Sequence, residues 1–192
     1  MILPFIIAAF VIIADQISKY IVKTNLQLGD SFNVIKHILN IRYIENKGAS
    51  FGILENNRWV FMILSAAALV LMGAAIIYLG RKSVRKQNRF ITVALALMFG
   101  GGVGNMIDRF INNSIDPANI GKGIKVVVDF FEFDFVNFAI FNVADSFISI
   151  GSVLFCICIF MGKYKLTILN AAVNVNPDVN NNINNTVGED NL

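Results

Sequence analysis

Of the 192 residues of the chain, 56% are hydrophobic and only 15% are charged, and the formal net charge is +3. The mean hydropathy of +0.64 is far above that of an ordinary soluble domain, so the composition predicts an integral membrane protein. The sequence contains no stripe of basic and aromatic residues, and no nucleic-acid partner is therefore expected.

The first apolar run covers residues 1–22, which is long enough to cross the hydrocarbon core of a bilayer. It has no basic region ahead of it and no small-x-small cleavage site after it, so we expect a retained helix rather than a removed signal peptide. Asp15 and Lys19 are four residues apart and therefore lie on one helical face. We interpret them as an ion pair at the outer end of this helix.

An outer segment at 23–58 follows, with β-rich pieces at 32–35 and 38–44. These pieces predict a small sheet or hairpin that lies on the membrane surface. The second span is predicted at 59–80, where Trp59 suits the boundary between water and lipid.

Five basic residues crowd into the link between the second and third spans: Arg81, Lys82, Arg85, Lys86 and Arg89. Short loops that are rich in lysine and arginine stay in the cytoplasm. This link is therefore predicted to be cytoplasmic, and with four spans both termini are then cytoplasmic as well.

The third span is predicted at 90–107 and ends in the sequence GGGVGNMIDRF. Gly100 and Gly104 are four residues apart and would let another helix approach closely. Asn105, Asp108 and Arg109 share one face by their spacing of three and four residues. A polar cluster of this kind at the outer end of a span can bind a carboxylate or a peptide backbone.

The second outer segment covers 108–137 and begins with a polar stretch that carries Pro117, Gly121 and Gly123. Such a loop cannot face lipid within the hydrocarbon, so it is expected outside the membrane. The stretch that follows, VVVDFFEFDFVNFAIFNVADS at 126–146, alternates phenylalanines with acids in its first half. We interpret that alternation as an interfacial segment with its rings in lipid or under a lid.

Asp129 and Asp145 are the unusual residues of this stretch, because ionised carboxylates are costly in apolar surroundings. They are too far apart for neighbouring turns of one helix. They can meet only if Asp129 ends one segment and Asp145 begins another that folds back beside it. Paired carboxylates indicate acid-base chemistry, whereas the alternative interpretation is two caps at helix ends near a membrane surface.

The fourth span is predicted at 138–161, and residues 1–169 then form one membrane-embedded domain. Residues 170–192 are dominated by asparagine and are predicted to be a disordered cytoplasmic tail. His37 is the only histidine, and Cys156 and Cys158 lie two residues apart in an apolar run. No disulfide, metal site or cofactor is expected.

The predicted fold is therefore an all-α membrane protein with four transmembrane helices and a small β-rich segment on the outer membrane surface. The unusual polar residues all fall at the outer end of a span or in an outer loop: Asp15, Lys19, Asn46, Asn105, Asp108, Arg109, Asp129, Asn142 and Asp145. This convergence predicts one functional site at the outer face of the membrane.

Two other classes of function remain open at this point. A proton-coupled carrier could use Asp145, Asp108 and Lys19 as a relay, although nothing ionisable lies deep in the cytoplasmic half of the spans. A structural membrane subunit could use the glycines for assembly. In that case neutral substitution of Asp129 or Asp145 should be harmless.

Five motifs resemble those of the bacterial lipoprotein signal peptidases, or signal peptidase II, which are membrane aspartic proteases. They occur in the order of that family and reach from the first span to the fourth: DQISK at 15–19, NKGASFGIL at 46–54, GGGVGNMIDR at 100–109, VVDF at 127–130 and FNVADS at 141–146. The main departure is the segment at 110–125, which is longer than the usual link of the family.

The resemblance implies that Asp129 and Asp145 are the catalytic pair. It also implies that Asn46, Asn105, Arg109 and Asn142 hold the substrate, and that three charged residues support the site: Asp15, Lys19 and Asp108. The implied substrates are diacylglyceryl-modified prolipoproteins, cut on the amino side of the lipidated cysteine. The implied location is the cytoplasmic (inner) membrane of a bacterium, in contact with membrane lipid.

Two carboxylates a few ångströms apart cannot easily both ionise, so the pair should share one proton. The ionised member could then take a proton from a water molecule that attacks the scissile carbonyl. The protonated member could donate to the carbonyl oxygen. The sequence does not assign these two states to particular aspartates.

Overall fold

The computed structural model describes residues 2–47, 58–81, 89–118, 122 and 124–160. Three parts of the sequence interpretation lie outside these residues. They are most of the NKGASFGIL motif, the centre of the basic link and the asparagine-rich tail at 170–192.

Within the described ranges, four helices are long and apolar enough to cross a membrane: α1 (Ile2–Asn25), α2 (Arg58–Leu79), α3 (Arg89–Ile111) and α4 (Val143–Phe160). At about 1.5 Å per residue each helix can cross a hydrocarbon core about 30 Å thick, with its flanks at the interface. The predicted fold of four membrane-spanning helices is confirmed. Helix α3 is central, because α1, α2 and α4 all pack against it.

The helix ends differ from the predicted spans where the chain approaches the sheet. Helices α1 and α3 continue to Asn25 and Ile111, and α4 begins only at Val143. The residues before α4 are extended, because Phe141 exchanges backbone hydrogen bonds with Phe131.

A three-stranded antiparallel sheet has the order β1 (Ser31–Ile35), β2 (Leu39–Asn46) and β3 (Val127–Phe133). The first two strands form the predicted hairpin. Strand β3 was not predicted as a strand, since its phenylalanine and acid alternation was interpreted only as an interfacial segment. It pairs with β2, so that Asp129 lies opposite Ile44.

A small apolar cluster fixes the sheet to one end of the helix bundle. Val22 of α1 packs with Tyr43 of β2 and with Val128 and Phe130 of β3. In a strand, successive side chains point to opposite faces, so Asp129 points away from this cluster and towards the cavity lined by α3 and α4. Burial of the apolar residues thus orients the carboxylate.

Glycines of α3 bring the other helices close, as the sequence predicted for Gly100 and Gly104. A Cβ on Gly100 would lie 2.8 Å from the carbonyl oxygen of Ala8 in α1. A Cβ on Gly104 would lie 2.5 Å from Asp15 Oδ2, and one on Gly101 would overlap the carbonyl oxygen of Ala144 in α4. Helices α1 and α4 can therefore approach α3 this closely only because these positions lack side chains.

Candidate active site

A cavity of about 380 Å³ lies at the end of the bundle that carries the sheet, and five of the predicted site residues line it: Asn46, Asn105, Arg109, Asp129 and Asp145. Its remaining wall is largely apolar and comes from α2, α3 and α4. The two carboxylates that the sequence singled out thus face one space from different elements, a strand and a helix.

Asp129 is 1% exposed on β3. Its Oδ2 accepts a hydrogen bond of 2.9 Å from Asn46 Nδ2, and its Oδ1 accepts one of 2.7 Å from Asn142 Nδ2. Burial, and secondly the charge of Asp145, raise the pKa of Asp129 to about 7 despite these two hydrogen bonds. Because Asp129 lies in a strand, the helix-cap interpretation does not apply to it.

Asp145 lies in the first turn of α4 and is half-buried. Its Oδ1 accepts a hydrogen bond of 2.8 Å from Asn105 Nδ2. Its Oδ2 accepts one of 3.2 Å from the backbone N–H of Asn142, whose Oδ1 accepts the N–H of Asp145 at 2.9 Å. This reciprocal pair is a capping box, so Asp145 caps α4 and faces the cavity at the same time.

Asn142 connects the two carboxylates. It is fully buried, and its side-chain amide donates to Asp129 while its backbone N–H donates to Asp145. The amide group also lies 3.0 Å from Asn105 Oδ1. The sequence placed Asn142 on the same helical face as Asp145, but Asn142 precedes the helix and reaches Asp145 as its N-cap.

A buried ion cluster lies beside the pair and towards α1. Lys19 Nζ is 2.8 Å from Asp15 Oδ2 and 3.0 Å from Asp108 Oδ2, so the predicted pair of Asp15 and Lys19 is confirmed and Asp108 joins it. Lys19 also donates to Asn105 Oδ1 at 3.0 Å. Asn105 therefore contacts the cluster and Asp145 at once.

The carboxylates of this cluster also hold the backbone that carries the cavity residues. Asp15 Oδ1 accepts the N–H of Ala144 at 3.0 Å, at the N-terminus of α4. Asp108 Oδ2 accepts the N–H of Val128 at 3.1 Å, one residue before Asp129. The cluster thus orients both the strand and the helix from which Asp129 and Asp145 project.

Gln16 is a site residue that the sequence interpretation missed. Its side-chain amide donates to Asp15 Oδ2 at 3.2 Å, to Asp108 Oδ1 at 3.1 Å and to the carbonyl oxygen of Gly104 at 3.2 Å. Its position next to Asp15, in an otherwise apolar helix, was the available signal.

Arg109 lines the cavity and donates to the carbonyl oxygen of Asn105 at 3.2 Å. The negative charges of Asp129, Asp145 and Asp108 all act on its guanidinium group. Arginine is suited to bind carbonyl or carboxylate oxygens of a ligand in this cavity. Among the described residues, no group of three or more His, Cys, Asp or Glu side chains is arranged to hold a metal ion.

Comparisons with known proteins agree with the geometry. The family model described as Signal peptidase (SPase) II matches residues 7–161. The chain is 35% identical over 161 residues to the lipoprotein signal peptidase of Brevibacillus brevis, which covers 84% of this chain and 97% of that protein. It is 38% identical over 156 residues to that of Staphylococcus aureus, which covers 80% of this chain and 85% of that protein.

Two solved structures of bacterial membrane enzymes have the same fold. One is 37% identical with a TM-score of 0.66, and the alignment covers 85% of this chain and 90% of that one. The other is 38% identical with a TM-score of 0.65, and the alignment covers 81% of this chain and 91% of that one.

Proposed function

This chain belongs to the signal peptidase II family, and on that premise we propose that Asp129 and Asp145 are the catalytic pair of a membrane aspartic endopeptidase. The protein is a bacterial multi-pass membrane protein that removes signal peptides from prolipoproteins. The finer proposal is that its substrates carry a diacylglyceryl group and are cut on the amino side of the lipidated cysteine.

The hydrogen bonds of Asn142 are the main observation that supports Asp129 and Asp145 as a pair. This one buried residue donates to the carboxylates of both Asp129 and Asp145, which face the same cavity from a strand and a helix. Two carboxylates held in this way can flank one water molecule and one peptide carbonyl.

The environments of the two aspartates support different roles. The pKa of Asp129, raised to about 7, keeps about half of this carboxyl group protonated in neutral solution, whereas an ordinary aspartate is almost fully ionised there. Asp145 lies at the N-terminus of α4, where the helix dipole interacts favourably with a negative charge. We therefore assign the shared proton mainly to Asp129.

Peptide hydrolysis follows from that assignment. Asp145 takes a proton from water as the water oxygen attacks the scissile carbonyl carbon, and Asp129 donates its proton to the carbonyl oxygen. When the tetrahedral intermediate breaks down, Asp145 gives its proton to the leaving amide nitrogen. Asp129 recovers a proton from the hydroxyl group, and the pair returns to its starting state.

The walls of the cavity support a lipid-modified substrate. Leu69 and Met72 of α2, Met98 of α3 and Ile148 of α4 line it, and α2 packs mainly against α3. Acyl chains could therefore pass from the bilayer between α2 and α4 and remain in apolar surroundings. Arg109 and Asn105 offer hydrogen-bond donors to the peptide backbone.

We further propose that the protein lies in the cytoplasmic membrane, with both termini in the cytoplasm and the site at the outer face. The described ends of the basic link, Arg81 and Arg89, lie at the opposite end of α2 and α3 from the cavity and the sheet. Short links of this charge are typically retained in the cytoplasm, which supports a cavity on the outer side of the membrane.

Cleavage of a diacylglyceryl-modified prolipoprotein by the purified protein in detergent tests the assignment. Asp129→Asn and Asp145→Asn keep the size of the side chain and should each lower the rate by about a thousandfold or more, because each removes one proton-transfer group. Asp30→Asn, in an exposed turn outside the cavity, is the matched control and should cleave at the wild-type rate.

Retained cleavage in a folded Asp129→Asn or Asp145→Asn variant would refute the assignment of the pair. Asp108→Asn tests whether Asp108 takes part in the reaction or only supports the site. Asp108 accepts a hydrogen bond from the backbone N–H of Val128 and contacts Lys19. We expect that variant to lose stability and part of its activity.

A further inference from the structure

The long segment between α3 and β3 is the part of the chain that the proposed function does not use. Its two arms are joined by backbone hydrogen bonds, from the N–H of Ser114 to the oxygen of Ile124 at 2.8 Å and from the N–H of Val126 to the oxygen of Asn112 at 3.2 Å. We call residues 112–116 and 124–126 the insertion ribbon. Its returning arm continues directly into β3, the strand that carries Asp129.

The insertion ribbon holds the end of β2 through Glu45 of that strand and through Lys47, which directly follows the strand. Glu45 accepts the hydroxyl of Ser114 with Oε2 and the N–H of Ile115 with Oε1, the latter at 2.8 Å. Lys47 Nζ is 2.9 Å from Asp116 Oδ2. The end of β2 is therefore fixed by three contacts to the ribbon.

The residue between Glu45 and Lys47 is Asn46, which donates to Asp129 Oδ2 at 2.9 Å. Side chains alternate along a strand, so two neighbours that face the ribbon leave Asn46 facing the cavity. The backbone register agrees, because Glu45 lies opposite Val128 and Asn46 opposite Val127. A shift of β2 relative to β3 would move the Asn46 amide away from Asp129.

We propose that the insertion ribbon is a positioning element for the catalytic pair: by holding Glu45 and Lys47, it sets the Asn46 amide against Asp129. This inference rests on the proposed function. Glu45, Lys47, Ser114 and Asp116 line no part of the described cavity, so they act through Asn46 and are positioning residues.

The two contacts differ in strength. Glu45 accepts two hydrogen bonds, one of them from the buried Ser114, and two bonds to one carboxyl group favour a tight contact. The side chains of Lys47 and Asp116 are 36% and 29% exposed, so solvent screens their attraction. Loss of Glu45 should therefore have the larger effect.

If the insertion ribbon positions Asn46, loosening the ribbon should change the pH dependence of kcat. The hydrogen bond from Asn46 lowers the pKa of Asp129 and opposes the effects of burial and of Asp145. When the end of β2 is loosened, that hydrogen bond weakens and the pKa of Asp129 rises. The limb of the kcat profile that reports Asp129 then moves to higher pH.

The main experiment measures kcat, KM and the pH profile of kcat for wild type, Glu45→Ala, Asn46→Ala and the double variant. We expect Glu45→Ala to lower kcat by about tenfold with little change in KM and to move the limb to higher pH. In the Asn46→Ala background, Glu45→Ala should have no further effect on kcat, because its effect passes through Asn46. Lys122→Gln, at an exposed position of the same segment, is the control.

A second pair of variants tests the ribbon if Glu45→Ala does not fold. Lys47→Asp and Asp116→Lys should each lower kcat, and the double exchange should restore most of it, because it rebuilds the ion pair in reverse. Restoration of kcat together with the wild-type pH profile supports positioning.

The proposal is overturned if Glu45→Ala lowers kcat equally in the wild-type and Asn46→Ala backgrounds. It is also overturned if Glu45→Ala only lowers the melting temperature and leaves kcat and its pH profile unchanged. Failure of the proposed function is a separate result, in which the wild-type protein does not cleave or Asp129→Asn still does.

Discussion

Two pairs of aspartates lie side by side at one end of the bundle, and they are held in different ways. Asp15 and Asp108 have the ammonium group of Lys19 between them, at 2.8 Å and 3.0 Å. Asp129 and Asp145 accept hydrogen bonds from the neutral amides of asparagines instead. The first pair is buried within the protein, whereas the second faces a cavity.

We infer from this difference that the first pair supports the site and that the second pair carries out the proposed chemistry. A cation between two buried carboxylates compensates their charge, and each of these two carboxylates also accepts a backbone N–H. An amide can donate a hydrogen bond to a carboxylate but carries no positive charge. The repulsion between two carboxylates held only by amides is therefore not compensated, which favours one shared proton. We therefore infer that Asp108, which contacts Lys19, supports the site and does not take part in the reaction itself.

The largest effect on stability is expected from removal of the cation. Lys19→Met leaves Asp15 and Asp108 buried with like charges, which should lower the free energy of unfolding by about 3–5 kcal/mol. Thermal unfolding in detergent measures this loss. The triple variant Asp15→Asn, Lys19→Met, Asp108→Asn should recover a large part of it, because no unpaired charge remains. A Lys19→Met protein as stable as wild type would show that the two pairs do not differ in this way.

The next largest effect is a pH dependence of the free energy of unfolding that is caused by Asp129. Its folded pKa of about 7 is above the ordinary value of 3.8, so its contribution to stability is fully present below about pH 4 and is lost as the pH rises through 7. At about 1.4 kcal/mol per pKa unit, the loss is at most about 4 kcal/mol. Asp129→Asn should remove this dependence.

Unfolding of wild type and Asp129→Asn, compared at pH 4, 5.5, 7 and 8, measures the difference between their curves. Other titrating groups contribute to both proteins, so the difference isolates Asp129. Parallel curves across this range would mean that the carboxylate ionises as it does in water.

A smaller effect is expected from a substitution that forces α4 away from α3. Gly101→Ala places a methyl group against the carbonyl oxygen of Ala144, next to Asp145, and should cost about 1–3 kcal/mol and lower kcat. In the control Gly73→Ala, the new Cβ lies 3.5 Å from Phe99, an ordinary contact. That variant should be neutral or slightly stabilised, since alanine favours a helix. Equal melting temperatures for both variants would contradict the close packing.

The smallest effect is expected at Gln16. Gln16→Ala removes an amide that donates to both Asp15 and Asp108, and it should lower the free energy of unfolding by about 1 kcal/mol while the pH profile of kcat stays unchanged. The matched control is Gln27→Ala at an exposed position. A shift of that pH profile would show that the ion cluster affects the titration of the proposed catalytic pair.

The sequence predicted the features that depend on local pattern. The four membrane spans follow from apolar runs of sufficient length, the β1–β2 hairpin from its short apolar pieces, and the pair of Asp15 and Lys19 from a spacing of four residues. The gathering of unusual polar residues at one end also followed from their order along antiparallel spans. These inferences need only neighbours in the chain and the thickness of a bilayer.

The tertiary structure decided which of these polar groups touch. Asp15 reaches the N–H of Ala144 across 129 positions of sequence, and Asn46 reaches Asp129 across 83. Strand β3 forms because β2 offers a free edge beside it, which an isolated alternation of phenylalanines and acids does not reveal. Lys19 can contact Asp108 only because Gly104, which lacks a side chain, lets α1 approach α3. Such contacts depend on packing between distant segments, and no spacing within one segment contains that information.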